Sequence, residues 1–172
     1  MIISKENRED KLISVGVKSQ FFQALKNLEE LGDLQFQIQE PTGAYFYLEQ
    51  LKNQYEILKG YHITPICDGS NGDTFYVLLS KEDEVRFVYF GLEDDEIYED
   101  FKDSFELLLA HLIIELMDFS EEQSSEYFVE VATKLGLSKA KNIVDTINDL
   151  SEDIDIQVWK KEVLPEIIKS NM

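Results

Sequence analysis

The feature that most constrains this chain is a run of three closely spaced β-prone segments in its middle. The first two, 61–66 and 74–79, flank a turn at 68–73 that holds two glycines, two aspartates and an asparagine. Such residues favour tight turns because Gly and Asn accept positive φ and Asp bonds to nearby amides. A polar loop at 81–84 then precedes the third segment, 85–89. Since connections this short join antiparallel strands, the sequence predicts a three-stranded antiparallel meander.

The part of the chain before the meander is predicted from the spacing of its apolar residues. Residues 1–11 are polar, and we expect them to be loosely structured. Helical spacing over 21–31 predicts a helix that the following glycine ends. Alternation over 34–38 predicts a short half-buried strand. The apolar spacing over residues 44–59 suits a helix, although the aromatic residues at 45–47 could begin a strand. We favour a helix that begins at about residue 46.

The chain after residue 103 is predicted to be helical. Ser104 can cap a helix over 105–118, whose apolar residues cover a wide face. Gly136 marks the end of the next predicted helix. Three further serines mark predicted helix starts, namely Ser120 (with Gln123 as a capping box), Ser138 and Ser151.

Together these elements predict the α+β class, with an antiparallel β-sheet packed by helices and a helical C-terminal extension. A chain of 172 residues suits one compact domain with an appendage. We divide it into an α+β domain, 1–118, and a helical extension, 119–172, packed on the same domain.

The charge of the chain excludes two classes of partner. The sequence holds 35 Asp and Glu against 16 Lys and Arg, a net charge of -19. Nucleic-acid binders depend on excess Lys and Arg to neutralise phosphates, and an anionic membrane surface repels an acidic protein. We therefore expect neither nucleic acid nor membrane as a partner. The 11 Phe and 8 Tyr argue against disorder, because they supply apolar area that offsets the ordering entropy.

The acidic residues are concentrated around the meander. Residues 61–118 hold fifteen acids against three basic residues. Three interpretations remain open: a solvated surface, a docking face for a basic partner, and a metal site. Neither 68–73 nor 92–103 matches the EF-hand spacing, and we predict no metal site. The partner-binding residues predicted by the second interpretation are Glu93, Asp94, Asp95, Glu96, Glu99, Asp100 and Asp103.

The residues capable of catalysis are few and poorly placed. Cys67 is the only thiol, and the nearby Asp68 and Asp73 oppose a thiolate, so we expect a packed structural cysteine. His62 is predicted to face out of its strand and His111 to lie in the core or at its boundary. There is no zinc-ligand spacing, GxGxxG motif or Walker loop. We predict no enzyme activity, no catalytic residue and no cofactor.

The start of the sequence predicts a location. Met1-Ile2-Ile3 is followed at once by Ser4, Lys5 and Glu6, so no signal-peptide apolar region forms. The single cysteine fits a reducing compartment. We expect a cytoplasmic protein.

The middle of the chain, residues 61–115, resembles the SUKH superfamily, which groups yeast glucan-synthesis regulators with many bacterial toxin-immunity proteins. The resemblance rests on the strand Ile63-Thr64-Pro65-Ile66, the turn Gly69-Ser70-Asn71-Gly72-Asp73 and the aromatic strand Thr74-Phe75-Tyr76-Val77-Leu78. A further strand at 85–89 and the pair Ser104-Phe105 at a helix start follow in the family's order. The Leu-Pro pair and the later Asn-Gly of the family's amino-terminal half are not evident before residue 60.

The resemblance implies partner binding without catalysis, because the family shares no catalytic residues. It implies that Gly69, Gly72 and Asp73 form the turn, with Asp73 capping the loop amides. Many bacterial members neutralise a toxin, frequently a nuclease, and nuclease domains are typically basic. We therefore expect an immunity protein that neutralises a basic, possibly nuclease, toxin domain through its acidic face. The alternative is a scaffold or regulatory protein that binds an endogenous partner, and the oligomeric state is not predicted.

Overall fold

The computed structural model describes residues 1–93, 95–120, 122–151 and 153–170. The chain divides into two compact units, Met1–Phe105 and Glu106–Met172. The first is a five-stranded antiparallel sheet with three α-helices, and the second consists of helices. The α+β class with a helical C-terminal extension is confirmed. No helix among the described residues has both the length and the apolar character needed to cross a membrane.

The sheet has its strands in chain order, β1-β2-β3-β4-β5. The predicted meander is confirmed as β2 (His62–Gly69), β3 (Thr74–Lys81) and β4 (Glu84–Gly91), each antiparallel to the next. β1 is the short pair Ile38–Gln39 and β5 is Glu96–Asp100.

One face of the sheet carries the main core of the first unit. Alternate residues of β3 and β4 pack there against Ala44 and Leu48 of α3 (Thr42–Leu51) and against Leu58. The opposite face carries aromatic contacts, since the ring of Phe105 lies 5.1 Å from that of Phe21 and 5.5 Å from that of Phe87. β3, at the centre of the sheet, is therefore buried on both faces.

Several predictions for the amino-terminal part are wrong. Residues 1–11 are not loose, because α1 spans Lys5–Ser14. The helix predicted over 21–31 is α2, Ser19–Lys26, followed by a 3-10 helix at Leu28–Phe36 that replaces most of the predicted strand. In the antiparallel register that places Ile38 opposite Gly69, residues 34–37 would lie opposite 70–73, which form the turn beyond the end of β2, so β1 begins only at Ile38. The helix favoured for 44–59 is α3, which starts earlier than expected and ends at Leu51.

The second unit contains most of α4 and four further helices. They are α4 (Phe105–Phe119), α5 (Ser125–Leu135), α6 (Ala140–Asn148), α7 (Ile156–Glu162) and α8 (Leu164–Lys169). Gly136 ends α5 with a φ of 95°, as predicted.

The helix starts that were predicted at three serines of the second unit are wrong. Ser124, not Ser120, caps α5, and its side chain accepts a hydrogen bond from the Tyr127 N–H. The N–H of Ser120 instead bonds to the C=O of Leu116 at the end of α4. Ser138 does not cap α6, whose N-cap residue is Lys139, and donates instead to the carboxylate of Glu106. The segment predicted to begin at Ser151 begins at Ile156, where Asp155 caps α7.

Candidate functional site

The acidic hairpin, defined here as residues 82–103, contains β4, β5 and the adjoining turns. It holds ten Asp and Glu against two basic residues, Arg86 and Lys102. β5 has β4 as its only strand neighbour among the described residues, so it forms an edge of the sheet. Its five residues extend over about 13 Å at a rise of about 3.3 Å per residue. The hairpin thus places a dense group of carboxylates along one sheet edge.

Asp100 binds both cations of the acidic hairpin. Its Oδ2 lies 2.8 Å from Arg86 Nη2 and 2.7 Å from Lys102 Nζ, and its Oδ1 accepts a bond from the Lys102 N–H. Partial burial alone would raise the pKa of Asp100, but the hydrogen bonds from Arg86 and Lys102 outweigh it and lower the pKa. One carboxylate thus engages both basic residues, and among the described acids Glu84, 3.9 Å from Arg86, is the one other carboxylate that forms an ion pair with either of them.

Asp95 has a structural role. Its carboxylate accepts hydrogen bonds from the N–H groups of Glu56, at 3.1 Å, and Ile57, at 3.5 Å. These amides open the 3-10 helix Glu56–Leu58, so Asp95 caps that helix from a distance in sequence. Asp95 itself has a φ of 48°, in the left-handed region. This predicted partner-binding residue is engaged within the protein.

The remaining predicted residues differ in exposure. Glu93, Glu96 and Asp103 are exposed, and Glu99 is half-buried. Asp94 lies outside the described residues. Of the six predicted side chains that the structure describes, three are therefore presented to solvent, while Asp95 and Asp100 are held by internal hydrogen bonds.

Exposed carboxylates also surround the Arg86–Asp100 pair at the far end of β5. Asp83, in the turn between β3 and β4, and Glu84, the first residue of β4, join Asp103 around an open depression of about 460 Å³. Sequence reasoning missed the contribution of Asp83 and Glu84 because the register of β4 against β5 was unknown. An ionised carboxylate accepts hydrogen bonds but donates none, so this surface suits the donors of lysine and arginine side chains.

The structure also adds an aromatic residue, Tyr98, to this edge. Sequence reasoning treated 93–103 as an acidic stretch and missed β5. The signal was present in Glu96-Ile97-Tyr98-Glu99, where two β-prone residues interrupt the acids. Ile97 packs against the core of the first unit, and Tyr98 is 41% exposed.

The turn between β2 and β3 is capped by Asn71 rather than Asp73. Asn71 Oδ1 accepts bonds from the N–H groups of Asp73 and Thr74 and from the Thr74 hydroxyl. Gly72 has a φ of 78°, as its expected role in the turn requires. Gly69 is needed for space, since a Cβ there would lie 3.3 Å from the Cβ of Thr74.

A buried carboxylate, Asp68, links the meander to α3. It accepts hydrogen bonds from the N–H of Gly43 at 2.7 Å and of Ala44 at 3.2 Å, so it caps α3. Burial raises the pKa of Asp68 to about 6, although these amides and the nearby Arg8 act to lower it. From the sequence Asp68 was predicted only as a turn residue, because its partners lie 24 and 25 residues away.

The side chains considered for catalysis lie in unsuitable surroundings. Burial, together with Asp68, raises the pKa of the Cys67 thiol, so the thiolate nucleophile is disfavoured. His62 is exposed at the start of β2. Burial, then the charge of Lys160, lowers the pKa of His111 to about 4, while Glu115 opposes this shift. In the described ranges, no three His, Cys, Asp or Glu side chains converge as metal ligands would.

Comparisons with known proteins return no match: no protein-family model, no curated protein and no solved structure is similar to this chain.

Proposed function

We propose that this chain is a non-catalytic protein-binding module whose acidic hairpin binds a basic protein partner. The observation that carries the proposal is the use of both hairpin cations by Asp100. Among the described residues, exposed Glu93, Glu96 and Asp103 have no ion pair with either basic residue of the hairpin. Such clustered charge repels itself, and a cationic partner relieves that repulsion while the field speeds association.

The partner that fits best is the basic domain of a bacterial toxin, and the protein acts as its immunity protein in the cytoplasm. The resemblance of residues 61–115 to the SUKH superfamily supports this choice. A nuclease domain is typically cationic because it must hold phosphates, and an acidic edge can occupy the same surface. Burial raises the pKa of the Cys67 thiol, which disfavours a thiolate nucleophile at that residue.

A growth-protection assay tests this proposal. The first step is to search beside this gene for a large secreted protein with a basic carboxy-terminal domain, and that domain, expressed under tight control, is the probe. Co-expression of the wild-type chain is expected to restore growth. Charge-neutral substitutions at four acidic-hairpin positions are expected to weaken protection. The variant combines Glu93→Gln, Glu96→Gln, Glu99→Gln and Asp103→Asn.

A matched variant controls for the change in total charge. Four exposed acids elsewhere in the first unit are neutralised in the same way, namely by Asp10→Asn, Glu29→Gln, Glu40→Gln and Glu49→Gln. Protection should survive in this control. Equal protection by all three proteins would overturn the assignment of the acidic hairpin. No protection by the wild-type chain, together with a stable complex formed with an endogenous protein, would favour a scaffold or regulatory role.

A further inference from the structure

Tyr98 is the outermost of three tyrosines that cross the sheet from β3 to β5. The rings of Tyr76 and Tyr89 stack with centroids 4.4 Å apart and planes 14° apart. The ring of Tyr98 meets that of Tyr89 edge-on, with centroids 5.5 Å apart. Tyr76 is buried, Tyr89 is half-buried and Tyr98 is 41% exposed. The row thus ends in a ring that is supported from within and accessible at the sheet edge.

A bulge in β5 and a glycine in β4 set the position of this ring. Tyr89 pairs with Glu99 and Phe90 pairs with Ile97, so Tyr98 is the extra residue between them. Bulges of this kind re-aim side chains at sheet edges. A Cβ at Gly91 would lie 2.6 Å from Cζ of Tyr98, so only glycine leaves room for the ring there. Gly91 does not have a positive φ, which makes space the reason for a glycine at this position.

The chemistry around Tyr98 favours a cationic side chain. Glu96 and Glu99 lie two residues before it and one residue after it on β5. An aromatic face attracts a guanidinium group, and arginine stacks on rings while also forming bidentate bonds to carboxylates. A ring that is already fixed loses little conformational freedom when it binds, which is typical of the residues that dominate interfaces.

We propose that Tyr98 is the anchor of the acidic hairpin, on which an arginine side chain of the basic protein partner stacks while Glu96 and Glu99 pair with it. This inference rests on the proposed function and names the residue type that the surface recognises. It adds a ring contact that selects arginine over lysine, which the charge of the hairpin alone does not do.

Two peptides of equal charge test the inference without knowledge of the natural partner. The probes are ten-residue peptides of alternating Arg and Gly, and of alternating Lys and Gly, titrated at low salt by calorimetry or NMR. The wild-type chain is expected to prefer the arginine peptide. Tyr98→Leu should weaken its binding about fivefold and reduce the preference, whereas Tyr98→Phe should retain both.

Two further variants make the test specific. Tyr47, on α3, is 40% exposed and serves as a matched tyrosine, so Tyr47→Leu should leave binding unchanged. Gly91→Ala keeps the Tyr98 ring but displaces it, and should weaken binding in the same direction as Tyr98→Leu. Circular dichroism confirms that each variant is folded.

The outcomes separate this inference from the proposed function. Weaker binding in both Tyr98→Leu and the four-acid variant supports both. Weaker binding in the four-acid variant alone overturns the anchor and leaves the acidic hairpin as a binding surface. A loss confined to Tyr98→Leu supports the anchor and overturns charge-driven binding. Unchanged binding in every variant overturns both.

Discussion

The two edges of the five-stranded sheet differ in what occupies them. At the β1–β2 edge the chain covers its own backbone: Ile3 donates to the C=O of Ile63, and Arg8 donates to the carbonyls of Pro65 and Ile66. At the β5 edge the chain instead displays carboxylates around a short strand. Covering an edge strand with another segment and placing charged side chains on it both prevent the strand from pairing with another chain. Among the described residues no such hydrogen bonds cover the outer side of β5, which is why we propose the charged edge as the one that receives a partner.

The largest expected effect concerns the covered edge. Arg8→Ala removes the donors to two carbonyls and the stacking of the guanidinium, 5.4 Å from the Phe22 ring. We expect a loss of about 4 kcal/mol in the free energy of unfolding, because acceptors of this kind are costly to leave unpaired. Urea unfolding followed by circular dichroism measures it. Lys11→Ala removes a cation from the same helix and should change stability by less than about 0.5 kcal/mol. Similar values for both would show that Arg8 does not secure this edge.

Asp68, next to the covered edge, should give a pH-dependent effect of slightly smaller size. Its folded pKa of about 6 exceeds the ordinary value of 3.8, so the folded state binds the proton more tightly. The resulting stability is present below about pH 4 and is lost as the pH rises through about 6. The change is on the order of 3 kcal/mol. The measurement is the difference in unfolding free energy between the wild-type chain and Asp68→Asn, from pH 4 to 7.

The comparison with Asp68→Asn is needed because the titration of His111 changes the unfolding free energy in the opposite direction with pH. Its pKa is lowered to about 4, so its contribution is present above about pH 6.5 and is lost as the pH falls. Both proteins contain His111, so the subtraction removes its effect. A difference independent of pH would contradict the raised pKa of Asp68.

At the charged edge, the ion pairs of Asp100 should matter less. Asp100→Asn weakens the contacts to Arg86 and Lys102, and we expect a loss of about 1 kcal/mol because this site is partly solvated. Glu99→Gln removes the neighbouring charge on the same strand and serves as the control. Thermal unfolding at low and high salt compares them. An equal loss in both variants would show that charge on β5 is stabilising in general, without a special role for Asp100.

The smallest effect on stability is expected from the exposed acids. The variant neutralised at Glu93, Glu96, Glu99 and Asp103 should keep its unfolding free energy within about 0.5 kcal/mol of the wild-type value, or gain slightly, because it relieves repulsion. Urea unfolding measures this. A substantial loss would indicate that these carboxylates, like Asp95 and Asp100, are engaged within the protein.

The sequence was sufficient to predict the meander because segments rich in β-forming residues are separated there by strong turn residues, and this signal is local in the chain. It was insufficient for β5, since acids are depleted in strands and Ile97 and Tyr98 were the only contrary signal. The short strand predicted at 34–38 failed for a tertiary reason, namely that β2 ends at Gly69, opposite Ile38, and residues 34–37 have no strand to pair with.

The acidic site illustrates the same limit. Clustering of acids is visible in the sequence, but their individual roles depend on partners distant along the chain. Asp95 caps a helix that begins at Glu56, and Asp68 caps one that begins at Thr42. Both look like surface carboxylates in the sequence. Nothing in the sequence distinguishes the exposed Glu93 and Glu96 from Asp95, which the fold places beside the amides of the 3-10 helix.

The most direct test of the central claim is the salt dependence of association with the proposed basic toxin domain, which is labelled with a fluorescent dye and followed by stopped-flow fluorescence. The wild-type chain should associate fast at low salt and slow steeply as salt screens the charges. The variant neutralised at Glu93, Glu96, Glu99 and Asp103 should associate about tenfold more slowly at low salt, with a flatter dependence, while the matched variant at Asp10, Glu29, Glu40 and Glu49 stays near the wild type. Identical rates and slopes for the two variants would show that total charge, and not the acidic hairpin, governs binding.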